Sequence, residues 1–183
     1  MLAEQFDSGK RHLPHTCDCL HSISAGGDEP RHDQGAEMNA TDGASGDTIA
    51  VGELTVRYLV DGAATGGIGV FELTVPPGAR VPPPHSHMRN EECIYGLSGA
   101  LRYSVDRVVR DLGPGDWMFT PRGAAHQFSN PYEETARALV VMSPDIGARY
   151  FRDIAAVLKA GGPHNRERLV EVMVRYGLAP TKS

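Results

Sequence analysis

With 183 residues the chain has room for one domain and a short appendage, and a composition 40% apolar and 22% charged places it among ordinary globular proteins. The formal charge of −5 is unevenly placed, since residues 1–47 carry nine acidic and three basic side chains and the remainder 14 acidic and 15 basic. Neither part concentrates the Lys and Arg that phosphate neutralisation needs, so nucleic acid is not an expected partner. No apolar run reaches membrane-spanning length, and Lys10, Arg11, His12 and His15 interrupt any secretory signal. Three cysteines, Cys17, Cys19 and Cys93, are too few for a disulfide scaffold, so the expected setting is cytoplasmic, without a membrane partner.

Residues 1–47 show neither helical nor strand periodicity and read as a disordered tail, with Met38 as an alternative start. The cluster His12, His15, Cys17, Cys19 and His21 has metal-ligand residue types but lacks paired CxxC spacing, so it reads as polar tail. From 48 to 142 the chain is a series of short β-type runs: Leu54–Val60, Val70–Val75, Glu92–Leu97, Leu101–Val105, Trp117–Thr120, Gln127–Ser129 and Ala136–Val141. Turn signals such as Asp61-Gly62 and Gly113-Pro114-Gly115-Asp116 separate them, which predicts an all-β sandwich or barrel. From 143 to 183 two amphipathic helices are expected, one after Ser143-Pro144-Asp145 and one after Asn165. Their apolar stripes read as packing on the outside of the barrel or on a second subunit, which makes a homodimer possible, with no cofactor role.

The histidines carry the chemical signal. In a strand, residues i and i+2 share a face, so His85 and His87 can present two imidazoles to one ion. Alone this pair is weak, because most such pairs are surface or core histidines. Glu91 and Glu92 follow, and His126 lies after a Gly-Asp-Trp…Pro-Arg-Gly segment.

Gly115, Pro121, Gly123, His126 and Asn130 fit G-x5-P-x-G-x2-H-x3-N in full, a match expected by chance in roughly one of tens of thousands of chains this long. His85, His87, Glu92 and Gly99 fit H-x-H-x4-E-x6-G, while six residues separate Gly78 from His85 where the pattern has five. On these two motifs the chain resembles the cupin superfamily, and with its helical tail most of all the single-domain, quercetin-dioxygenase-like bacterial cupins. The resemblance implies a double-stranded β-helix (jelly-roll) barrel, with His85, His87, Glu92 and His126 holding one metal ion. Counting from His87 alone admits either Glu91 or Glu92; the family spacing to Gly99 selects Glu92.

Three imidazoles and one carboxylate suit a divalent first-row ion (Fe, Mn, Ni, Cu, Co or Zn) and not the all-oxygen surroundings of Ca²⁺ or Mg²⁺. Four protein ligands leave positions open on such an ion, so a small-molecule substrate could reach it. The resemblance implies a dioxygenase acting on an aromatic or enol-type molecule, with Glu92 as candidate general base. A cupin isomerase or decarboxylase would use the same four residues, and a non-catalytic metal-dependent binding or sensing module stays open because fold does not fix function. Cys93 should face away from Glu92, the motif glycines should serve turns, and Asn130 should organise a turn or support the site. With ordinary imidazole pKa values near 6.5, metal release is expected between about pH 7.5 and about pH 5.

Overall fold

The computed structural model describes residues 46–181. The expected disordered tail, its His/Cys cluster and Met38 therefore lie outside the described residues, except for Gly46 and Asp47 at its end. Those two already run beside the barrel, where the Tyr58 amide donates to the Asp47 carbonyl at 2.8 Å.

The elements in chain order are β1 (Thr48–Val51), β2 (Leu54–Val60), β3 (Gly69–Val75), β4 (His85–His87), β5 (Glu91–Ser98), β6 (Leu101–Val105) and β7 (Val108–Leu112). β8 (Trp117–Thr120), β9 (Ala125–Ser129), β10 (Ala136–Ser143), α1 (Ala148–Ala160), α2 (Asn165–Arg175) and β11 (Leu178–Pro180) follow. Two antiparallel sheets result, ordered β1-β2-β3-β10-β5-β8 and β11-β4-β9-β6-β7. Strand alternation explains the core: Leu54, Val56 and Tyr58 of β2, Phe71 and Leu73 of β3, and Ala138, Val140 and Met142 of β10 all point inward. Leu101, Tyr103 and Val105 of β6 face them from the second sheet and join the same core. One side chain in two is buried, so each sheet keeps a solvated face.

The first helix begins at Ala148, three residues past Asp145. Asp145 is buried and accepts hydrogen bonds from the Tyr58 hydroxyl and from the amides of Gly62 and Gly147, each at 3.0 Å. It thus ties β2, the turn after β2 and the entry to α1 to one carboxylate. Gly69 permits that approach, because a Cβ there would lie 2.1 Å from Asp145 Oδ1.

α1 buries Ala148, Tyr150, Ile154 and Val157, and α2 buries Val172 and Met173. The α1 stripe is covered by the barrel, whereas α2 leaves Leu169 and Val170 half-buried and Val174 exposed. Among the described residues, exposed large apolar side chains include Tyr95 of β5 and Trp117 and Phe119 of β8 on the sheet, and Val174 on α2. Among the described residues no helix is long and apolar enough to cross a membrane.

Candidate metal centre

The two histidine segments meet by strand pairing. β4 and β9 are antiparallel with His85 directly opposite His126, and His87 lies two residues along β4 on the same face. The ring centroids are 4.4 Å apart for His85 and His126, 5.1 Å for His87 and His126, and 5.2 Å for His85 and His87. One nitrogen from each ring lies within 4.8 Å of the other two, and all three residues are buried. The Pro82-Pro83-Pro84 loop, where the motif spacing departs by one residue, has a local function: the Pro83 carbonyl accepts a hydrogen bond from His85 Nδ1 at 2.9 Å. That bond fixes the tautomer and leaves Nε2 of His85 as its free lone pair.

Glu92 is buried, whereas its neighbour Glu91 is exposed. Oε2 of Glu92 stands 3.7 Å from Nε2 of His87 and 3.8 Å from Nε2 of His126. The carboxylate therefore sits beside two of the rings, to one side of the histidine trio. Its other oxygen, Oε1, accepts a 2.8 Å hydrogen bond from the Tyr103 hydroxyl, which also pairs with Thr120 Oγ1 at 2.9 Å. Burial and the Glu92 charge push the Tyr103 phenol well above its ordinary pKa, so it remains a donor.

Burial holds His85, His87 and His126 down to about 4, and for His85 and His87 the neighbouring imidazoles reinforce it. At neutral pH the three rings are thus uncharged and their lone pairs available. Nδ1 of His87 and of His126 is buried with no hydrogen-bond partner among the described residues, while Nε2 of both faces Glu92. Three neutral nitrogens converging beside one carboxylate fit a divalent first-row metal, and His85, His87, His126 and Glu92 are the residues that could hold it.

Around this cluster the strands and α1 close a small cavity of about 70 Å³. Its walls are apolar, formed by Val56, Phe71 and Leu73 on one side and by Tyr150, Phe151 and Ile154 of α1 on another. Of the two settings expected for the helical stripes, the outside of the barrel or a second subunit, α1 thus takes the first. An apolar stripe on a helix signals only that something covers it, and here part of what it covers is the cavity over the histidines. β11 reaches the site from the other side, pairing Leu178 with His87 and Pro180 with His85. Further bonds run from the Met88 amide to the Gly177 carbonyl at 2.9 Å and from the Thr181 amide to the Pro84 carbonyl at 3.0 Å.

The remaining motif positions are structural. Gly99 has φ of 64°, and a Cβ there would lie 2.5 Å from the Thr135 carbonyl oxygen. Asn130 is buried and donates to the carbonyls of Val75 and Glu134 at 2.8 Å while accepting from the Tyr132 amide at 3.0 Å, so it organises a turn. Cys93 lies on the outer face opposite Phe119, half-buried. His164 is exposed at the start of α2 and stands apart from the cluster.

The family model for the cupin domain matches residues 71–142, a segment that runs from β3 to β10 and contains all three histidines and Glu92. The fold is the cupin fold. Solved structures similar to this chain include KdgF from Halomonas sp., at 23% identity over 54% of this chain and 88% of that one, with a TM-score of 0.49. A sugar phosphate isomerase of the cupin superfamily from Silicibacter pomeroyi is 31% identical over 50% of this chain and 60% of its own, with a TM-score of 0.44. A predicted oxalate decarboxylase from Thermotoga maritima is 22% identical over 55% of this chain and 93% of its own, with a TM-score of 0.48. No curated protein matches significantly.

Within the cupin barrel, Tyr103 and Thr120 are the functional neighbours that motif spacing does not reveal. Tyr103 alternates with Leu101 and Val105, so its inward direction was readable, but its contact with Glu92 joins β6 of one sheet to β5 of the other. Replacing Tyr103 by Phe keeps the buried ring and removes both hydrogen bonds. The expected cost is about 1–2 kcal/mol of stability, with metal affinity lowered roughly 10- to 100-fold as Glu92 loses its fixed orientation. Urea unfolding together with competition against a chromophoric chelator measures both, and an unchanged metal affinity would remove Tyr103 from the site.

Ending the chain at Tyr176 removes β11 and leaves β4 paired only with β9. It also exposes the pocket of Leu178, which is 2% accessible. A loss of about 3 kcal/mol is expected, in the range of other core leucine deletions, with weaker metal binding. Leu178→Ala should show a similar stability loss yet retain the metal, because the β4–β11 ladder is made by backbone. Equal metal affinity in the truncated and full-length chains would show that β11 does not hold the histidine strand in place.

Proposed function

We propose that this cupin domain is a metal-dependent enzyme that oxidises a small, largely apolar molecule carrying an enol or phenol oxygen, a dioxygenase-type reaction. The observation that carries the reading is the cavity lining. Among the described residues, apart from His85, His87, His126, Glu92 and the Tyr150 hydroxyl, every side chain around it is aliphatic, aromatic, proline or the thioether Met142, and none is a lysine or arginine. A sugar phosphate or a dicarboxylate would enter with charge and hydroxyl groups that this lining leaves unpaired, at a cost of several kcal/mol. An aromatic or enolic compound instead gains from burial against Phe71 and Phe151, whose rings already pack edge-on at 5.1 Å.

A bound first-row metal would supply Lewis acidity and access to redox chemistry. The protein supplies the rest. Glu92 can take the proton of a substrate hydroxyl on Oε2, the oxygen turned toward the histidines, while Tyr103 holds Oε1. Tyr150, Phe151 and Ile154 of α1 cover the cavity and limit water.

The test is oxygen uptake by Fe-, Ni- or Cu-loaded protein over a panel of flavonols and β-diketones. Consumption of oxygen with loss of the substrate chromophore is expected for at least one pairing. If no metal and no substrate gives turnover, the dioxygenase reading is overturned, and tight binding without turnover would favour a binding or sensing module.

A further inference from the structure

The metal cavity has a neighbour. A second cavity, of about 510 Å³, is lined by Leu158 of α1 and by Leu169 and Met173 of α2, and by Val81 and Pro83 of the loop before β4. It shares Val51, Leu54, Pro82, Tyr150 and Ile154 with the first, so the two chambers adjoin across the collar of these side chains. The inner chamber, about 70 Å³, is the smaller, and the outer one is several times larger. Among the described residues its charged lining is Glu53, whose carboxylate is engaged by the Arg80 amide at 2.8 Å, and Arg80, which is exposed, and Asn165 adds one amide to the otherwise apolar wall.

The geometry points to one elongated ligand spanning both chambers: an oxygen-bearing head against the histidines, an apolar body passing the Tyr150–Ile154 collar, and an apolar tail in the chamber built by α1 and α2. This rests on the functional reading above and extends it to a substrate class, namely amphiphiles longer than a single ring. It also gives the C-terminal helices a function, because Leu158, Leu169 and Met173 form a tail-binding surface that the motif segment alone, residues 71–142, does not contain. Burying one methylene tightens binding by about three- to fourfold, so tail length should be read directly in affinity.

The test uses the full chain loaded with Co²⁺, whose visible spectrum reports a ligand arriving at the metal, titrated with acetohydroxamate and with octanohydroxamate. The longer probe is expected to bind at least about tenfold more tightly, which needs only two of its six additional methylenes to be buried, and up to about a thousandfold if all six are. Leu169→Trp narrows the outer chamber without touching the histidines, and should remove most of that gain while leaving acetohydroxamate binding unchanged. Leu158→Trp does the same from α1 and covers the case in which the first variant fails to fold. A spectral response to acetohydroxamate with no gain from chain length, or a gain untouched by both tryptophan variants, overturns the two-chamber ligand alone. No response to either probe would mean that the metal offers no open position, and would overturn the functional reading beneath it.

Discussion

Acidifying the metal-free protein from about pH 7 to about pH 4 is expected to unfold it, because three buried imidazoles must remain neutral for the fold to stand. In the unfolded chain each takes up its proton near about pH 6.5. In the fold, burial delays that uptake to about 4 for His85, His87 and His126 alike. Between these values the unfolded state holds more protons, so stability is complete above about pH 6.5 and is lost progressively as pH falls toward 4. One such group contributes roughly 3 kcal/mol, and two or three together rival the 5–15 kcal/mol total of a typical domain. Urea midpoints by circular dichroism at successive pH values measure the slope. A stability flat across this window would mean that the rings are hydrated and the centre is open. Metal occupying the three lone pairs should shift the acid transition to lower pH.

The same displacement changes what is expected of the metal itself. Ordinary imidazole values place its release between about pH 7.5 and about pH 5. With the three rings held down to about 4, affinity in the folded protein should stay nearly level over that span and fall steeply below it. Sequence shows which residues are histidines but not how dry their surroundings are; that depends on Val56, Phe71, Phe151 and Ile154 arriving from distant parts of the chain.

Much of the barrel was legible because seven of its strands combine β-type residues with clear turn signals. β7 and β11, two of the four strands outside those seven, escaped for physical reasons. β7 exposes Val108 and Val109, so it shows no inward alternation, and it follows a two-residue turn in which Asp106 takes φ of 51° in place of the usual glycine. β11 is three residues long and contains Pro180, which an edge strand tolerates but which reads locally as a loop. Of the site, spacing brought His85, His87, His126 and Glu92 into view, since period-2 alternation and the motif intervals act along the chain. Tyr103, Thr120 and the lining from α1 reach the site by pairing between distant strands and by helix packing, which no local pattern encodes. The direction of Asp145 was similarly hidden: next to a helix it looks like a cap, yet its carboxylate is shared among three segments.

Exchanging the adjacent carboxylates one at a time should separate a surface charge from a metal ligand. Glu91→Ala is expected to change neither fold nor metal content, since that side chain is solvent-exposed and the β5–β10 pairing beside it is made by backbone. Glu92→Ala removes the one carboxylate among the described residues that faces the histidines, leaving Nε2 of His87 and His126 without the oxygen now 3.7 and 3.8 Å away. If Glu92 ligates the ion directly, metal affinity should fall by more than the roughly 10- to 100-fold typical of losing an outer-shell partner. Glu92→Gln distinguishes charge from shape. Its amide oxygen can still accept the Tyr103 hydrogen bond, so the fold and part of the metal affinity should survive, while the capacity to take a substrate proton is gone. Turnover should therefore drop further than occupancy. Metal content by elemental analysis, set beside affinity from chelator competition, reads all three variants on one scale. If Glu92→Ala bound metal as tightly as the unaltered chain, the ion would be held by His85, His87 and His126 alone. Glu92 would then be left as a base hydrogen-bonded to Tyr103, adjacent to the metal and not coordinated to it.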